Sequence, residues 1–248
     1  MMAPGWLTAR PIAHRGLHDP AAGVVENTRS SCAAAIAAGY AIEVDLERSA
    51  DGEAMVFHDD TLDRLTEATG PLAALSAREL QAVRFRATGD AMLRFCDLLA
   101  LVAGRVPLIV ELKSRFDGDL RLAVRAAEVA AGYAGPLAMM SFDPDLVAAL
   151  RRLAPDVVRG ITAERHYDDA EWTGLTRWQK QRLGNLLHLP SSRAQFVAFG
   201  IRDLPSAATW LARHGLGLPL LTWTVRTNAD RARARRWADQ IIFEGLRP

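Results

Sequence analysis

The sequence predicts a single (β/α)8 barrel over residues 1–248. Three observations carry that prediction. Eight short apolar segments recur along the chain, each followed by a helical pattern or the chain end, and alternating β and α units imply a parallel sheet. With 248 residues, half of them hydrophobic, the chain can bury one barrel and its helical shell. The polar residues that interrupt the apolar pattern fall at the C-terminal ends of the predicted strands, which meet at one mouth in a barrel. An open doubly wound sheet is the alternative. No glycine-rich phosphate fingerprint follows any strand, which weakens it.

Pro11-Ile12-Ala13-His14 reads as the first strand, ending at Arg15-Gly16. After a loop through Pro20 and Gly23, Thr28 is placed to cap a helix that stops at Gly39. Ala41 to Leu46 is the second strand. Asp51-Gly52 marks a turn, and Ala54 to Phe57 returns as a short extra strand ending at His58-Asp59. Residues 60–90 form a small polar insertion after strand two, with a short helix capped by Ser76. Met92 to Ala103 has helical spacing, and Val106 to Glu111 is the third strand. Asp117 to Ala131 reads as a helix and Leu137 to Ser141 as a strand. Asp143 caps a helix over Pro144 to Leu153, with proline in its first turn. Val157 to Ile161 is a strand. Residues 162–195 show little pattern beyond one helix near Trp178. Phe196 to Phe199 is a strand, Pro205 to His214 a helix, Leu220 to Val225 a strand, Asn228 to Trp237 an arginine-rich helix, and Gln240 to Phe243 the last strand.

The formal net charge of +1 argues against a nucleic-acid partner. Two thiols, Cys32 and Cys96, imply no disulfide framework. Met1 to Arg10 lacks the apolar core and cleavage site of a signal peptide, and no apolar run approaches a membrane span. A soluble, cytoplasmic protein with no stable membrane association is therefore expected. The arginine run Arg231, Arg233, Arg235 and Arg236 reads as a solvated helix face.

The chemistry centres on Ala41-Ile42-Glu43-Val44-Asp45-Leu46, a strand with the look of a buried one that carries two acids. Side chains alternate across a strand, so Glu43 and Asp45 share a face, about 6–7 Å apart. Two ionised carboxylates buried that close repel each other, and a cation between them removes the conflict. Oxygen donors favour one hard divalent ion, Mg²⁺ or Ca²⁺. The plainer reading is a solvated strand edge with two exposed acids. Glu111 and Lys113 end the third strand facing the same way, which makes Glu111 a third oxygen ligand. His14 and His58 are the candidate acid and base, since imidazole titrates near neutrality. The other four, His18, His166, His188 and His214, read as structural. Arg15 and Lys113 suit a phosphate clamp, or else ion pairs with the nearby acids. Glu26 either orients Arg15 or complements a helix N-terminus. Trp223 either walls the pocket or packs in the core. Three carboxylates, two imidazoles and two cations suit phosphoryl transfer.

These residues resemble the glycerophosphodiester phosphodiesterase family. The matching pieces are His14-Arg15-Gly16, Glu26-Asn27-Thr28, Glu43-Val44-Asp45, the turn Asp51-Gly52 leading to His58-Asp59, and Glu111-Leu112-Lys113, with Trp223-Thr224-Val225 a weaker match. The resemblance is dense over residues 11–113, thins over 160–195 and returns in the last two strands. It implies a divalent ion held by Glu43, Asp45 and Glu111, acid and base roles for His14 and His58, and Arg15 and Lys113 at the phosphate. It also implies a small-molecule glycerophosphodiester substrate, with glycerol 3-phosphate and an alcohol as products. Two positions depart from the family pattern: Arg226 where asparagine is frequent, and Phe243-Glu244 where Thr-Asp is frequent. Neither is expected to touch the metal ligands or the histidines. A lysophospholipase D-like enzyme and a non-catalytic barrel binding a phosphorylated ligand are the competing readings. A metal-dependent amidohydrolase would show His-x-His on its first strand, whereas His14 and His18 are four apart.

Overall fold

The computed structural model describes residues 3–169 and 172–248. Its strands are β1 (Ile12–Ala13), β2 (Ala41–Arg48), β3 (Ala54–Val56), β4 (Leu108–Leu112), β5 (Leu137–Ser141), β6 (Val158–Ala163), β7 (Phe196–Gly200), β8 (Leu220–Val225) and β9 (Gln240–Phe243). Between them run α1 (Arg29–Ala38), α2 (Ala77–Ala82), α3 (Phe95–Val102), α4 (Arg121–Ala130), α5 (Pro144–Leu153), α6 (Arg177–Gly184), α7 (Leu189–Ser192), α8 (Ala207–Trp210) and α9 (Asn228–Trp237). The sheet order is β1-β9-β8-β7-β6-β5-β4-β2, and β1 pairs in parallel with β2 to close the ring. Eight parallel strands thus form a (β/α)8 barrel, as the sequence predicts. The short strand β3 lies outside the ring, antiparallel on β2 with Leu46 opposite Val56.

The period-two alternation of the strands sets where everything goes. One set of side chains fills the barrel interior: Ile12, Ala41, Ile109, Leu221 and Ile242, among others. The alternate set, with Ile42, Val44, Val110, Ile161 and Val197, packs outward against helix residues such as Ala35, Leu98, Ala126 and Leu146. Continuing each interior position by two residues toward the strand's C-terminus leads from Ile12 to His14, from Ala41 to Glu43 and Asp45, and from Ile109 to Glu111 and Lys113. The same step leads from Leu221 to Trp223 and from Ile242 to Glu244. Each of these strands is apolar at the floor and polar at the mouth.

Local signals explain the helix boundaries. The Thr28 side chain accepts from the Ser31 amide and Ser31 Oγ accepts from the Thr28 amide, a reciprocal cap that starts α1. Gly39, left-handed at φ 74°, ends it. Asp143 caps α5 ahead of Pro144. The helix expected from Asp117 starts later, at Arg121. Asp117 accepts from the Asp119 amide and Asp119 from the Arg121 amide, and these local turns compete with the helix. The helix expected from Met92 starts at Phe95, because the carbonyl of Leu93 accepts from the Val56 amide and Asp97 accepts from the Arg94 amide. The expected helix near Trp178 is α6, joined by a second short helix, α7. The insertion folds as its own apolar cluster, in which Leu62, Leu72 and Leu80 bury against Val25, Met55 and Phe57.

Gly16 joins the mouth to α1. Its φ is +80°, and a Cβ there would lie 2.5 Å from Ser31 Oγ and 2.8 Å from the Ser31 backbone. Gly16→Ala combines the left-handed penalty with this clash, for a cost of about 2 kcal/mol or more. We expect a fall in Tm of about 4–8 °C by calorimetry. An unchanged Tm would mean that the loop relaxes without cost.

Candidate active site

Three carboxylates stand together at the mouth. Glu43, Asp45 and Glu111 are 2%, 2% and 6% exposed. One oxygen from each lies within 4.8 Å of the others. The register makes this unavoidable, since β2 and β4 pair with Asp45 beside Glu111 and Glu43 precedes Asp45 by two on the same face. The solvated-edge reading is thereby ruled out: the acids are buried. Each has fixed partners. Glu43 Oε2 accepts from the Arg15 amide at 3.0 Å. Asn27 Nδ2 donates to Asp45 Oδ2 at 2.9 Å, and the Asp45 amide donates back to Asn27 Oδ1 at 3.2 Å. Lys113 Nζ reaches Asp45 Oδ1 at 2.8 Å and Glu111 Oε1 at 2.6 Å.

The electrostatics separate the acids. Burial pushes the Glu43 carboxyl well above its usual range, and the charges of Asp45 and Glu111 push it the same way. Burial alone would also raise Asp45, but Lys113, His58 and Arg15 outweigh it and hold Asp45 well below the usual range. Lys113 is raised overall: its burial disfavours the charge, and Asp45 and Glu111 overcome that. Three carboxylate oxygens at this spacing fit a hard cation, since ligands on Ca²⁺ at about 2.3–2.6 Å lie up to about 5 Å apart. Glu43, Asp45 and Glu111 are the residues that could hold it.

Both candidate histidines sit on carboxylates through the same nitrogen. His14 Nδ1 lies 2.9 Å from Glu244 Oε2, and His58 Nδ1 lies 2.7 Å from Asp59 Oδ1. His14 holds Glu244 down at about 2, with burial opposing. Burial opposes the same shift in Asp59, where His58 and Arg64 prevail and keep it low. Ionised carboxylates only accept hydrogen bonds, so each Nδ1 carries a proton and each Nε2 is the ring nitrogen left free of these carboxylates. Burial lowers the His14 pKa, against the hydrogen bond to Glu244.

The two histidine systems share a scaffold. Arg15 NH1 donates to Glu26 Oε1 at 2.7 Å, and Arg15 Nε lies 3.4 Å from Asp45 Oδ2. Arg64 donates to Glu26 at 2.7 and 3.1 Å and to Asp59 at 2.6 and 2.9 Å. Glu26 therefore orients Arg15, as one reading expects, and also ties it through Arg64 to the partner of His58. Trp223 packs on the interior core and donates Nε1 to the Ala198 carbonyl at 3.2 Å. Its ring meets Phe142 edge-on at 5.5 Å, in an aromatic group that includes Phe116, Tyr167 and Trp172.

A model of the glycerophosphoryl diester phosphodiesterase family matches residues 14–244. The chain belongs to that family. It is similar to glycerophosphodiester phosphodiesterase 1 of Bos taurus, at 42% identity over 72 residues, which is 28% of this chain. The chain thereby spans 20% of the length of that curated relative. A candidate glycerophosphoryl diester phosphodiesterase of Silicibacter pomeroyi DSS-3 shares the structure at TM-score 0.75 and 26% identity, over 94% of this chain and 89% of that one. An Oleispira antarctica phosphodiesterase, solved with its product sn-glycerol-3-phosphate, has the same fold at TM-score 0.75 and 19% identity, over 94% and 91% of the two chains.

Within this site, one expectation from the sequence needs correction. The departures from the family pattern do touch a histidine. Glu244 pairs with His14, and Arg226 NH2 donates to Glu244 Oε2 at 2.9 Å. The two positions are one unit, because Val225 and Phe243 are partners across β8 and β9 and the next residue of each strand meets its counterpart. Asn27 and Asp59 stand inside the sequence motifs and gain their roles only from these contacts. Arg64 carries no motif signal at all. Glu47, two beyond Asp45, is a further carboxyl on that face, pushed up to about 7 by burial against the opposing charges of Lys113 and Arg115.

Proposed function

We propose that the chain is a metal-dependent phosphodiesterase that hydrolyses glycerophosphodiesters to glycerol 3-phosphate and an alcohol, with His14 and His58 as the acid–base pair. The observation that carries the reading is the buried acid triad flanked by two histidines, each with Nδ1 on an ionised carboxylate. A Mg²⁺ or Ca²⁺ ion held by Glu43, Asp45 and Glu111 would offset the charge of the phosphate oxygens. Arg15 and Lys113 are held beside Asp45 by ion pairs and add positive charge on the same side. His14, kept neutral by burial, takes the proton of the attacking hydroxyl at Nε2. His58 delivers a proton to the departing alcohol oxygen. The same base serves whether water attacks directly or the glycerol hydroxyl attacks first through a cyclic phosphate. The product bound to the Oleispira antarctica phosphodiesterase supports this choice of product.

The substrate is proposed to be a deacylated diester in solution, such as glycerophosphocholine or glycerophosphoethanolamine. No helix among the described residues is long and apolar enough to cross a membrane. The apolar residues of the insertion are consumed in their own cluster, leaving none for a bilayer. The binding grip falls on the phosphate, so discrimination between alcohols should be weak. Comparing kcat/KM for glycerophosphocholine, glycerophosphoethanolamine and lysophosphatidylcholine under one set of conditions tests this. Similar values for the first two and a much lower one for the lysolipid are expected. A lysolipid preference of tenfold or more would replace the reading with a lysophospholipase D.

A further inference from the structure

We propose that the floor of the barrel carries a second ligand site, which takes a dissolved phosphate monoester with a small apolar substituent. A cavity of about 550 Å³ opens there, lined by Arg151, Arg159, Arg193 and Gln195, with Leu189 and Leu218 on its apolar wall. Arg159 is the second residue of β6, Gln195 immediately precedes β7, and Leu218 lies just ahead of β8. These are the N-terminal ends of the strands, so the cavity is at the opposite end of the barrel from the acids and histidines.

The cavity gathers three arginines around one concavity, one of them fixed in place. Among the described residues, Arg151, Arg159 and Arg193 pair with no carboxylate, and no acid lines the cavity. Arg159 is fixed rather than floating: its amide donates to Gln195 Oε1 at 3.1 Å and NH1 donates to the same oxygen at 3.3 Å. Its Nε is buried and has no hydrogen-bond partner among the described residues. Burial disfavours the Arg159 charge, and Arg151 and Arg193 add to that repulsion.

A buried guanidinium donor without an acceptor is costly, and three like charges around one cavity compound the cost. An anion with several oxygens relieves both. Guanidinium groups match phosphate through paired hydrogen bonds, and a phosphate monoester meets three of them better than a single carboxylate would. The volume suits a small molecule, and the leucine wall suits an apolar substituent. The basic residues form a pocket rather than a stripe, which is not the shape of a nucleic-acid surface.

Calorimetric titration with inorganic phosphate and with phenyl phosphate tests the site at constant ionic strength. The wild-type chain is compared with the double variant Arg151→Gln, Arg193→Gln, whose two positions are exposed and whose folding is checked by its melting curve. We expect phenyl phosphate to bind more tightly than inorganic phosphate, and the double variant to lose about tenfold or more in affinity. Its kcat/KM at the mouth should stay within twofold of wild type. Arg159→Gln should abolish the same binding event, with folding checked by its melting curve. Equal binding in wild type and double variant would assign the signal to the mouth and overturn the proposal. Vesicles of phosphatidylcholine with phosphatidic acid form the third arm. Arginine-dependent capture by those vesicles without binding of either dissolved phosphate would also overturn it, in favour of a lipid headgroup.

Discussion

Asp45→Asn is expected to lower kcat/KM about 10³-fold or more while the chain stays folded. Asp45 is the point where the site converges. It bonds to Asn27, pairs with Lys113 and Arg15, and sits beside Glu111 across the strand register. Its carboxylate is the acid that the surroundings keep most firmly ionised, whereas Glu43 is pushed toward protonation. Asparagine keeps the shape but removes the anionic oxygen, and the loss of an ion's contribution of several kcal/mol corresponds to about three decades in rate. Lys113 retains Glu111 as a partner, so its buried charge is not orphaned. EDTA should abolish turnover in the wild type, and Mg²⁺ or Ca²⁺ should restore it there but not in Asp45→Asn. Adding the ion should also raise the wild-type Tm by mass action, a readout independent of activity. The sign of the pH dependence follows from Glu43. Its raised pKa means that binding a cation displaces a proton, so ion affinity should weaken as pH falls. Full activity after exhaustive chelation would remove the metal from the reading.

The barrel and most of the site are legible in the sequence for one reason. The fold repeats a period-two rule eight times, and the residues two beyond an apolar interior position at a strand's end must face the mouth. That rule reaches His14, Glu43, Asp45, Glu111, Lys113 and Trp223. Applied to Ile242 it also reaches Glu244, whose partnership with His14 arises only when β1 and β9 pair with Ala13 beside Phe243. Arg64 and the start of α4 lie beyond any such rule. Arg64 sits in an irregular insertion whose path depends on the packing of Leu62, Leu72 and Leu80, and no local spacing encodes that it meets both Glu26 and Asp59. Likewise Arg159 reads as an ordinary strand residue until β6 and β7 come together and Gln195 fixes its guanidinium.

His14→Ala and His58→Ala should each lower kcat about 10²–10⁴-fold, and the double variant should lose far less than the product of the two. Each imidazole is held by a carboxylate on Nδ1, so removing either ring breaks a proton path that needs both. A His58→Ala enzyme within a few-fold of wild type would take that residue out of proton transfer. The pH profile of kcat/KM distinguishes the roles. Burial depresses the His14 pKa below its usual 6.5, so the ring is neutral at pH 7, and the rate should fall as pH drops through the depressed value. Glu244, held at about 2 chiefly by His14, stays ionised across that range and adds no limb of its own. Glu244→Gln then gives a signed test of positioning. The hydrogen bond to Glu244 raises the His14 pKa against burial. Without it, burial and Arg15 are opposed by Asp45 alone, and the acid limb should move to lower pH. At the same time kcat should fall, because the amide no longer dictates which ring nitrogen carries the proton. Glu244→Asp should recover part of the rate and move the limb back. A Glu244→Gln enzyme with a reduced rate but an unmoved acid limb would mean that the carboxylate serves the Arg226 contact alone and that His14 is oriented by the barrel wall.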